Sequence, residues 1–447
     1  MLITNATLIT WERENRILPN SALLVRDGKI ADFGPSAELM ARYPEAALFD
    51  ARGQLLLPGN ICAHTHFYST YSRGLASPGE PAARFSQILD KLWWPLDQAL
   101  DEEATRLSAR VCLVDAIKHG TTTLIDHHAS PNFLSGSLNA IAEEVEKAGL
   151  RASLCYETTD RYGEAKMREA IDENIHFIKA TANGSRPLLR SAFGLHAPLT
   201  ISTSTLEACL EALAGLDAGI HIHVSESTDD RETLKKRGDG LPIAWLARHG
   251  ALNEKSIIVH AVHVEQEEIR QLAESRAWVT HQPRSNMNNA VGVAKTEQML
   301  EAGIRVCLGN DGFSNAMWEE WRAAYLLHKI AHEDPRRMGG YTVAEMAIYN
   351  NAALASQMYG MAIGAISTGA AADLMLVDYH PPTPLTAGNL PWHILFGFRE
   401  SMVTGTIVNG QWLMKDRQLQ TLDEAKIAAQ ARELAPKVWE NYNKFVA

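Results

Sequence analysis

The sequence predicts an α/β protein built on a (β/α)₈ barrel, with a small β-sandwich formed by both ends of the chain. Two observations carry this prediction: eight short apolar runs alternate with helical segments, and both ends are rich in strand-like runs. Short runs rich in Val, Ile, Leu and Thr suit strands buried on both faces of a parallel sheet. Eight of them favour a closed barrel over the alternative, an open doubly wound sheet. The predicted strands are Leu55–His66, Thr121–His127, Ala152–Glu157, Leu188–His196, Ile220–Val224, Ser256–His263, Trp278–Gln282 and Val306–Gly309.

The two ends of the chain carry short strand-like runs separated by turn signals. Near the start, an Asp-Gly turn separates Ala22–Val25 from Lys29–Phe33, and near the end an Asn-Gly turn precedes Gln411–Met414. Both dipeptides favour tight hairpins. We therefore expect residues 1–55 and 366–420 to form the two parts of one sandwich, residues 56–365 the barrel, and the Ala-, Glu- and Lys-rich residues 421–447 a C-terminal helix.

Charge and cysteine usage exclude several classes of function. The 447 residues include 53 acidic and 42 basic side chains, a formal net charge of −11. This balance argues against nucleic-acid binding, which depends on clustered Lys and Arg. No apolar run is long enough to span a bilayer, and the N-terminus lacks the features of a signal peptide. The five scattered cysteines form no CxxC pair, so we expect reduced thiols in a cytoplasmic protein without a membrane or nucleic-acid partner.

Polar side chains lie where the predicted barrel strands end. In a (β/α)₈ barrel the C-terminal ends of all strands converge on one face. His64 and His66 are two residues apart on the first run, so both side chains leave one face and can reach a single ion. The alternative for this pair alone is two core histidines. His223 in the fifth run and Asp311 after the eighth complete a set of three imidazoles and one carboxylate, which predicts one bound divalent metal ion.

The fifth run offers two histidines as the third ligand. His221 and His223 share a face, so the period of the strand does not decide between them. Glu226 favours His223, because it lies three residues further on, where a loop can turn its carboxylate toward the ion. A hydrolytic metal site needs a proton shuttle that is not itself a ligand, and Glu226 suits that role. A surface glutamate that caps the next helix is the alternative.

A series of short motifs follows the predicted strands. They are Pro58–Asn60, Ala63–His66, Gly120–Thr123, Leu195–Pro198, His223–Glu226, His260–His263, His281–Asn286, Asn310–Gly312 and Gly369–Leu374. In type and order the motifs resemble the amidohydrolase superfamily, in its deaminase and chlorohydrolase branch, over nearly the whole chain. Within that branch, Arg284–Asn289 is most similar to the SsnA subgroup of aminohydrolases.

The resemblance implies a barrel hydrolase with a mononuclear metal site. It implies that Asp311 acts in catalysis as well as in metal binding, that His260 is a hydrogen-bonding catalytic residue, and that His196 contacts the substrate. Binuclear relatives carry a bridging lysine at the end of the fourth strand, and Leu188–His196 contains none. Zinc is the expected ion, and ferrous iron suits the same ligands.

Other residues near the strand ends each allow a functional and a structural interpretation. Arg284 and Gln282 stand where deaminase relatives usually carry a small residue and Asn. Arg284 is assigned to the substrate site, where it would pair with an anionic group; the alternative is that it braces its loop. For His127, His128 and Glu157, substrate contact and a structural role both stay open. The segment after the first strand forms either a lid over the site or part of the core, and its large side chains are Arg73, Phe85, Trp93 and Trp94.

The predicted function is metal-dependent hydrolysis of a non-peptide C–N bond, namely deamination of a nitrogen heterocycle such as a purine or pyrimidine. One alternative is the displacement of chloride or a substituted amine from a triazine-like ring. Another is a barrel that binds a metal or ligand without turnover. The expected partner is a small heterocyclic substrate, and the resemblance suggests a homodimer.

Overall fold

The computed structural model, which describes residues 1–182 and 184–446, arranges the chain as alternating strands and helices between two β-rich ends. The strands are β1 Leu2–Ile9, β2 Ile17–Arg26, β3 Lys29–Pro35, β4 Leu48–Asp50, β5 Leu55–Pro58, β6 Asn60–Thr65, β7 Thr121–Asp126, β8 Arg151–Leu154, β9 Leu189–Ser191, β10 Phe193–Leu195, β11 Ile220–Val224, β12 Ile257–His260, β13 Trp278–His281, β14 Arg305–Leu308, β15 Leu374–Val377, β16 Val403–Val408, β17 Gln411–Lys415 and β18 Gln418–Leu419.

Helices connect these strands and cover the outside of the barrel. They are α1 Ser36–Arg42, α2 Phe85–Ile88, α3 Trp94–Ala99, α4 Glu102–Lys118, α5 Ser137–Ala148, α6 Glu164–Thr181, α7 Thr203–Leu213, α8 Asp229–Arg237, α9 Pro242–Arg248, α10 Gln266–Ser275, α11 Pro283–Asn288, α12 Thr296–Glu301, α13 Met317–His332, α14 Gly340–Ala344, α15 Asn351–Tyr359, α16 Leu390–Phe396 and α17 Glu424–Tyr442. Short 3₁₀ turns lie at Phe67–Ser72, Pro198–Thr200 and Glu400–Met402, and π turns at Leu89–Trp93 and Glu345–Asn350.

The barrel strands pair in parallel in two segments, β6-β7-β8-β9 and β10-β11-β12-β13-β14. The predicted fourth run, Leu188–His196, is divided into β9 and β10, and between them the Ala192 N–H donates to the Leu154 carbonyl at 3.4 Å. At the other junction, the Asp311 N–H donates to the His64 carbonyl at 3.1 Å. The predicted (β/α)₈ barrel is confirmed, with both junctions joined by backbone hydrogen bonds.

The two ends of the chain pair in one sheet, in the order β18-β17-β16-β15-β5-β1-β2-β3, with β4 beside β1. The structure divides the predicted first run, Leu55–His66, into two strands. Leu55–Pro58 pairs with β1 and β15 in the terminal sheet, and Asn60–Thr65 begins the barrel beside β7. The chain changes sheets at Gly59, where a Cβ would lie 2.2 Å from the Thr122 side chain. The first barrel strand therefore begins at residue 60, and the continuous burial on both sides of Gly59 conceals the crossing.

The outer helices show why the chain between the strands is helical. In α5, Leu138, Ile141 and Val145 recur at helical spacing and are fully buried against the barrel. The helix ends at Gly149, which adopts a left-handed φ of +83°. At the C-terminus, α17 packs through Leu434 and other apolar residues onto a cluster that includes residues of α3 and α4.

Two further predictions concern the whole chain. All five cysteines are buried and free, which agrees with the expected reduced thiols. Among the described residues, no helix combines the length and the apolar character that a membrane-crossing helix needs.

Candidate active site

The four predicted ligands meet at the C-terminal end of the barrel. His64, His66, His223 and Asp311 each offer a ligand atom, and these atoms lie within 4.8 Å of one another. Asp311 Oδ1 lies 2.8 Å from His66 Nε2 and 3.4 Å from His64 Nε2. His223 Nε2 lies 3.3 Å from His66 Nε2. Three imidazoles and one carboxylate thus face a common point.

The hydrogen bonds behind these histidines direct their Nε2 atoms into the site. His66 Nδ1 donates to the His127 carbonyl at 2.6 Å, and His223 Nδ1 donates to the His196 carbonyl at 3.0 Å. These bonds leave a lone pair on each Nε2. His64 Nε2 is buried and has no hydrogen-bond partner. Because a buried unpaired nitrogen is costly, the residues fit a bound metal ion well.

His221 lies behind the ligand set. Its Nε2 is 3.0 Å from His64 Nδ1, and its Nδ1 is 3.5 Å from Cys155 Sγ. Burial and the surrounding imidazoles hold the pKa of His221 well below its ordinary value, so this ring is neutral. The structure therefore brings His223 to the ligand position and places His221 where it orients His64.

Glu226 and His260 border the ligand set. Glu226 Oε2 lies 3.3 Å from His260 Nε2, and the Asn289 side-chain amide donates to Glu226 Oε1 at 3.2 Å. His260 Nδ1 lies 2.9 Å from Asn286 Oδ1. Burial, reinforced by the charge of Asp311, holds the pKa of Glu226 well above its ordinary value. Glu226 therefore keeps its proton at pH values where an exposed glutamate has lost it.

Asp311 has the opposite protonation state. Burial alone would raise its pKa, but the adjacent imidazoles of His64, His66 and His260 hold the pKa of Asp311 well below its ordinary range. The Ser285 hydroxyl also donates to Asp311 Oδ2. Asp311 and His260 both adopt left-handed backbone conformations, with φ of +57° and +71°. Such strained residues cluster at functional sites.

A cleft opens beside the ligand set, and its lining includes His66, His223, Glu226 and Asp311. The segment after β6 supplies the apolar wall of the cleft through Phe85, Leu89, Trp93 and Trp94, so these large apolar side chains lie at the mouth of the site. Asp97 lies in the same wall; its side chain is buried, and its Oδ1 has no hydrogen-bond partner. Its Oδ2 accepts a hydrogen bond from Arg161 at 3.3 Å, so the cleft combines an apolar surface with one carboxyl oxygen that has no partner.

His196, which is predicted to contact the substrate, and Glu157, for which this contact stayed open, both line the cleft. His196 Nε2 lies 3.8 Å from Glu157 Oε2, and both residues reach the surface of the cleft. Glu157 Oε1 also accepts a hydrogen bond from His127 Nδ1 at 3.0 Å. His127 and His128 lie behind the lining, and His128 Nε2 pairs with the Ser130 hydroxyl at 2.8 Å.

Arg284 lies apart from the cleft. Its Nε pairs with Glu320, which is fully buried, and its Nη1 pairs with Glu319, each at 2.5 Å. Its Nη2 donates to the Ser314 carbonyl at 2.6 Å. Among the described residues, the lining of the cleft does not include Arg284. The structure thus does not bring Arg284 to the predicted substrate site, and its contacts are those of the bracing alternative, because a buried carboxylate needs a cationic partner.

Several site residues escaped the sequence-based assignment. Ser285, Asn286 and Asn289 hold Asp311, His260 and Glu226 from one side, and all three lie on or directly after α11. Pro283 at the start of α11 indicates a helix that would present these side chains together. Asp97 carries no comparable signal, since only the fold brings α3 to the barrel mouth.

Similarity to known proteins agrees with this geometry. Residues 55–413 match the amidohydrolase family. The chain belongs to the amidohydrolase family. A further short stretch, residues 22–46, matches the imidazolonepropionase-like composite domain of bacteria. The chain is 30% identical over 440 residues to a 5-methylthioadenosine/S-adenosylhomocysteine deaminase of Pelotomaculum thermopropionicum, covering 97% of this chain and 98% of the relative.

Solved structures share the whole fold. An adenosine deaminase from Xanthomonas campestris with bound zinc gives a TM-score of 0.87 at 24% identity, covering 98% of both chains. The atrazine chlorohydrolase TrzN from Arthrobacter aurescens gives a TM-score of 0.81 at 21% identity, covering 97% of this chain and all of TrzN. The predicted enzyme class is confirmed: the protein is a metal-dependent aminohydrolase for a small nitrogen heterocycle, and resemblance to SsnA-like aminohydrolases is consistent with this. The triazine alternative fits less well.

Proposed function

We propose that the protein deaminates an adenosine-type nucleoside with one zinc ion held by His64, His66, His223 and Asp311. The observation that carries this proposal is Glu226, a buried acid directly beside the ligand set whose pKa is held well above its ordinary value. A protonated acid at this place suits a heterocycle whose ring nitrogen accepts a proton during attack on the neighbouring carbon. The deaminase relative and the zinc-bound structural neighbour support the substrate class and the ion.

The side chains divide the chemistry between them. A bound divalent ion would supply Lewis-acid activation of the attacking water. Asp311, which is ionised, would accept the proton released by that water. Glu226 would donate its proton to the ring nitrogen, which makes the adjacent amino-bearing carbon more electrophilic. His260, 3.3 Å from Glu226, would stabilise the charge that develops on the attacking oxygen.

Collapse of the tetrahedral intermediate completes the proton balance. The proton held by Asp311 would pass to the amino group, the C–N bond breaks, and ammonia leaves. The remaining hydroxyl proton would return to Glu226 as the new C=O bond forms. The overall change is replacement of the ring amino group by oxygen, with one water consumed and one ammonia released.

The cleft supports a nucleoside rather than an alkylated triazine. Trp93 and Trp94 offer flat apolar surfaces for a heterocyclic ring. The unpaired Oδ1 of buried Asp97 would accept hydrogen bonds from the hydroxyl groups of a sugar. A ligand without such donors would leave this oxygen unpaired, and that mismatch disfavours binding.

A substrate panel tests the proposal. Zinc-loaded protein is assayed for ammonia release from adenosine, 5′-methylthioadenosine, S-adenosylhomocysteine, guanine and cytosine, and for chloride release from atrazine. We expect kcat/KM for at least one adenosine derivative to exceed that of the free bases at least about tenfold. The proposal is overturned if chloride release from atrazine is faster than ammonia release from every adenosine derivative, or if only guanine or cytosine releases ammonia. Chelator-treated protein is reconstituted with zinc or with ferrous iron, and the ammonia-release rates show which of the two ions supports activity.

A further inference from the structure

A second cluster of metal-binding side chain types lies at the C-terminal end of α13. His328 and His332 are four residues apart on this helix, and Glu297 lies on α12. Each offers a ligand atom, and these atoms lie within 4.8 Å of one another. The two imidazole planes are inclined by only 29°, with ring centroids 6.2 Å apart. We propose that Glu297, His328 and His332 form a second site for a divalent transition-metal ion, sharing no residue with the catalytic ligand set.

His328 provides the fixed ligand of this site. Its side chain is almost fully buried, and its Nε2 lies 3.3 Å from Nε2 of His281, a residue of β13. Burial lowers the pKa of His328 to about 4, so the ring is neutral and has a lone pair near pH 7. His332, one helical turn further on, is exposed and can adjust its position.

Two neighbours fix the carboxylate of Glu297 in position. Its Oε1 accepts a hydrogen bond from the Met338 N–H at 2.9 Å, and its Oε2 lies 2.8 Å from Arg337 Nε. The Arg337 side chain is 36% exposed, so water can solvate its guanidinium when a metal ion replaces it. The negative end of the α13 helix dipole lies at this end of the helix and also favours a cation.

The ligand set selects a chemical class of ion. Two histidines and one carboxylate suit Zn²⁺, Ni²⁺, Co²⁺ or Cu²⁺ and disfavour Mg²⁺ and Ca²⁺, which prefer oxygen ligands. Tetrahedral coordination at about 2.0–2.1 Å requires ligand atoms about 3.3 Å apart. The ligand atoms now lie within 4.8 Å of one another, so the distances between them need to shorten by about 1.5 Å at most. Three protein ligands leave the fourth position to water. A bound ion would tie α12 to α13.

Metal titration tests this site separately from catalysis. Protein loaded with one equivalent of zinc is equilibrated with increasing free Zn²⁺, and bound metal is counted by elemental analysis. We expect a second equivalent in the wild type. His332→Ala and Glu297→Gln should weaken this second binding at least about tenfold, because loss of even an indirect partner of a ligand costs about 10–100-fold. Excess Zn²⁺ should raise the thermal midpoint of the wild type more than that of His332→Ala.

Two controls separate the site from surface binding and from the catalytic centre. His380→Ala removes a histidine that is 93% exposed and lies 3.3 Å from Asp378, and it should leave the second equivalent unchanged. His223→Ala should lose the first ion and retain the second. The proposal is wrong if the wild type binds no second equivalent, if His332→Ala binds it like the wild type, or if His380→Ala weakens it equally. Each result can be read whether or not the protein deaminates adenosine derivatives.

Discussion

Replacement of Glu226 by Gln isolates the acid proton from the other properties of this side chain. The amide has nearly the same shape, and its oxygen can still accept from Asn289, which donates to Oε1 at 3.2 Å. Its NH₂ group can face His260 Nε2, 3.3 Å from the present Oε2. Glutamine cannot deliver a proton to the substrate ring. Since general acid catalysis contributes about 10²–10⁴ in rate, kcat should fall by that factor, or about 3–5 kcal/mol of transition-state stabilisation.

The assay needs three readouts. Steady-state ammonia release gives kcat and KM, elemental analysis gives metal per chain, and thermal unfolding reports the fold. We expect the metal content and the thermal midpoint to match the wild type and KM to change little, because Glu226 is not a proposed ligand. Glu232→Gln, an exposed position on α8, is the matched control and should retain full activity. A Glu226→Gln enzyme within tenfold of wild-type kcat refutes the acid role, and one that loses its metal shows Glu226 to be a ligand.

Three more outcomes test other parts of the structure. His223→Ala should lose most bound metal, whereas His221→Ala should retain it at saturating zinc with affinity reduced about 10–100-fold, and equal loss in both would contradict their assignment. Arg284→Met should lower the free energy of unfolding, measured in urea, by about 3–5 kcal/mol, because it leaves Glu320 buried and unpaired. KM should not change. A raised KM in a variant of wild-type stability would instead support the predicted substrate role of Arg284. Burial raises the pKa of Glu320 from 4.5 to about 7 against the opposing effect of Arg284. Because the pKa of Glu320 is higher in the folded than in the unfolded protein, the free energy of unfolding should fall as the pH rises from 4.5 to about 7. Glu320→Gln removes this titration. If the free energy of unfolding of this variant, measured in urea, has the same pH dependence as that of the wild type, this prediction is wrong.

The ligand set was predictable because it depends on few structural assumptions. The two-residue period of a strand places His64 and His66 on one face, and the barrel brings Asp311 to the same end. Neither inference requires knowledge of loop conformation. The choice of His223 over His221 rested on Glu226 alone, and the structure gives the physical difference: His221 Nε2 faces the back of His64 instead of the open site.

Features that depend on contacts between distant segments were not predictable. The direction of Arg284 is determined by the buried carboxylate of Glu320, which lies 36 residues further along the chain. No local pattern shows that Glu320 is buried or that it lies beside α11. The division of Leu55–His66 was concealed for a related reason, because Leu55–Pro58 and Asn60–Thr65 are both buried along their whole length, although they belong to different sheets.

The two carboxyl groups at the centre of the site illustrate how one environment can produce an acid and a base. Asp311 lies 2.8 Å from His66 Nε2 and accepts from Ser285, so its charged form is stabilised. Glu226 is buried, receives one amide hydrogen bond from Asn289, and lies near the charge of Asp311, so its neutral form is stabilised. The ionised carboxylate raises the pKa of its neighbour, so each protonation state reinforces the other. Deamination requires this asymmetry, because one group has to accept a proton from water while the other donates a proton to the ring.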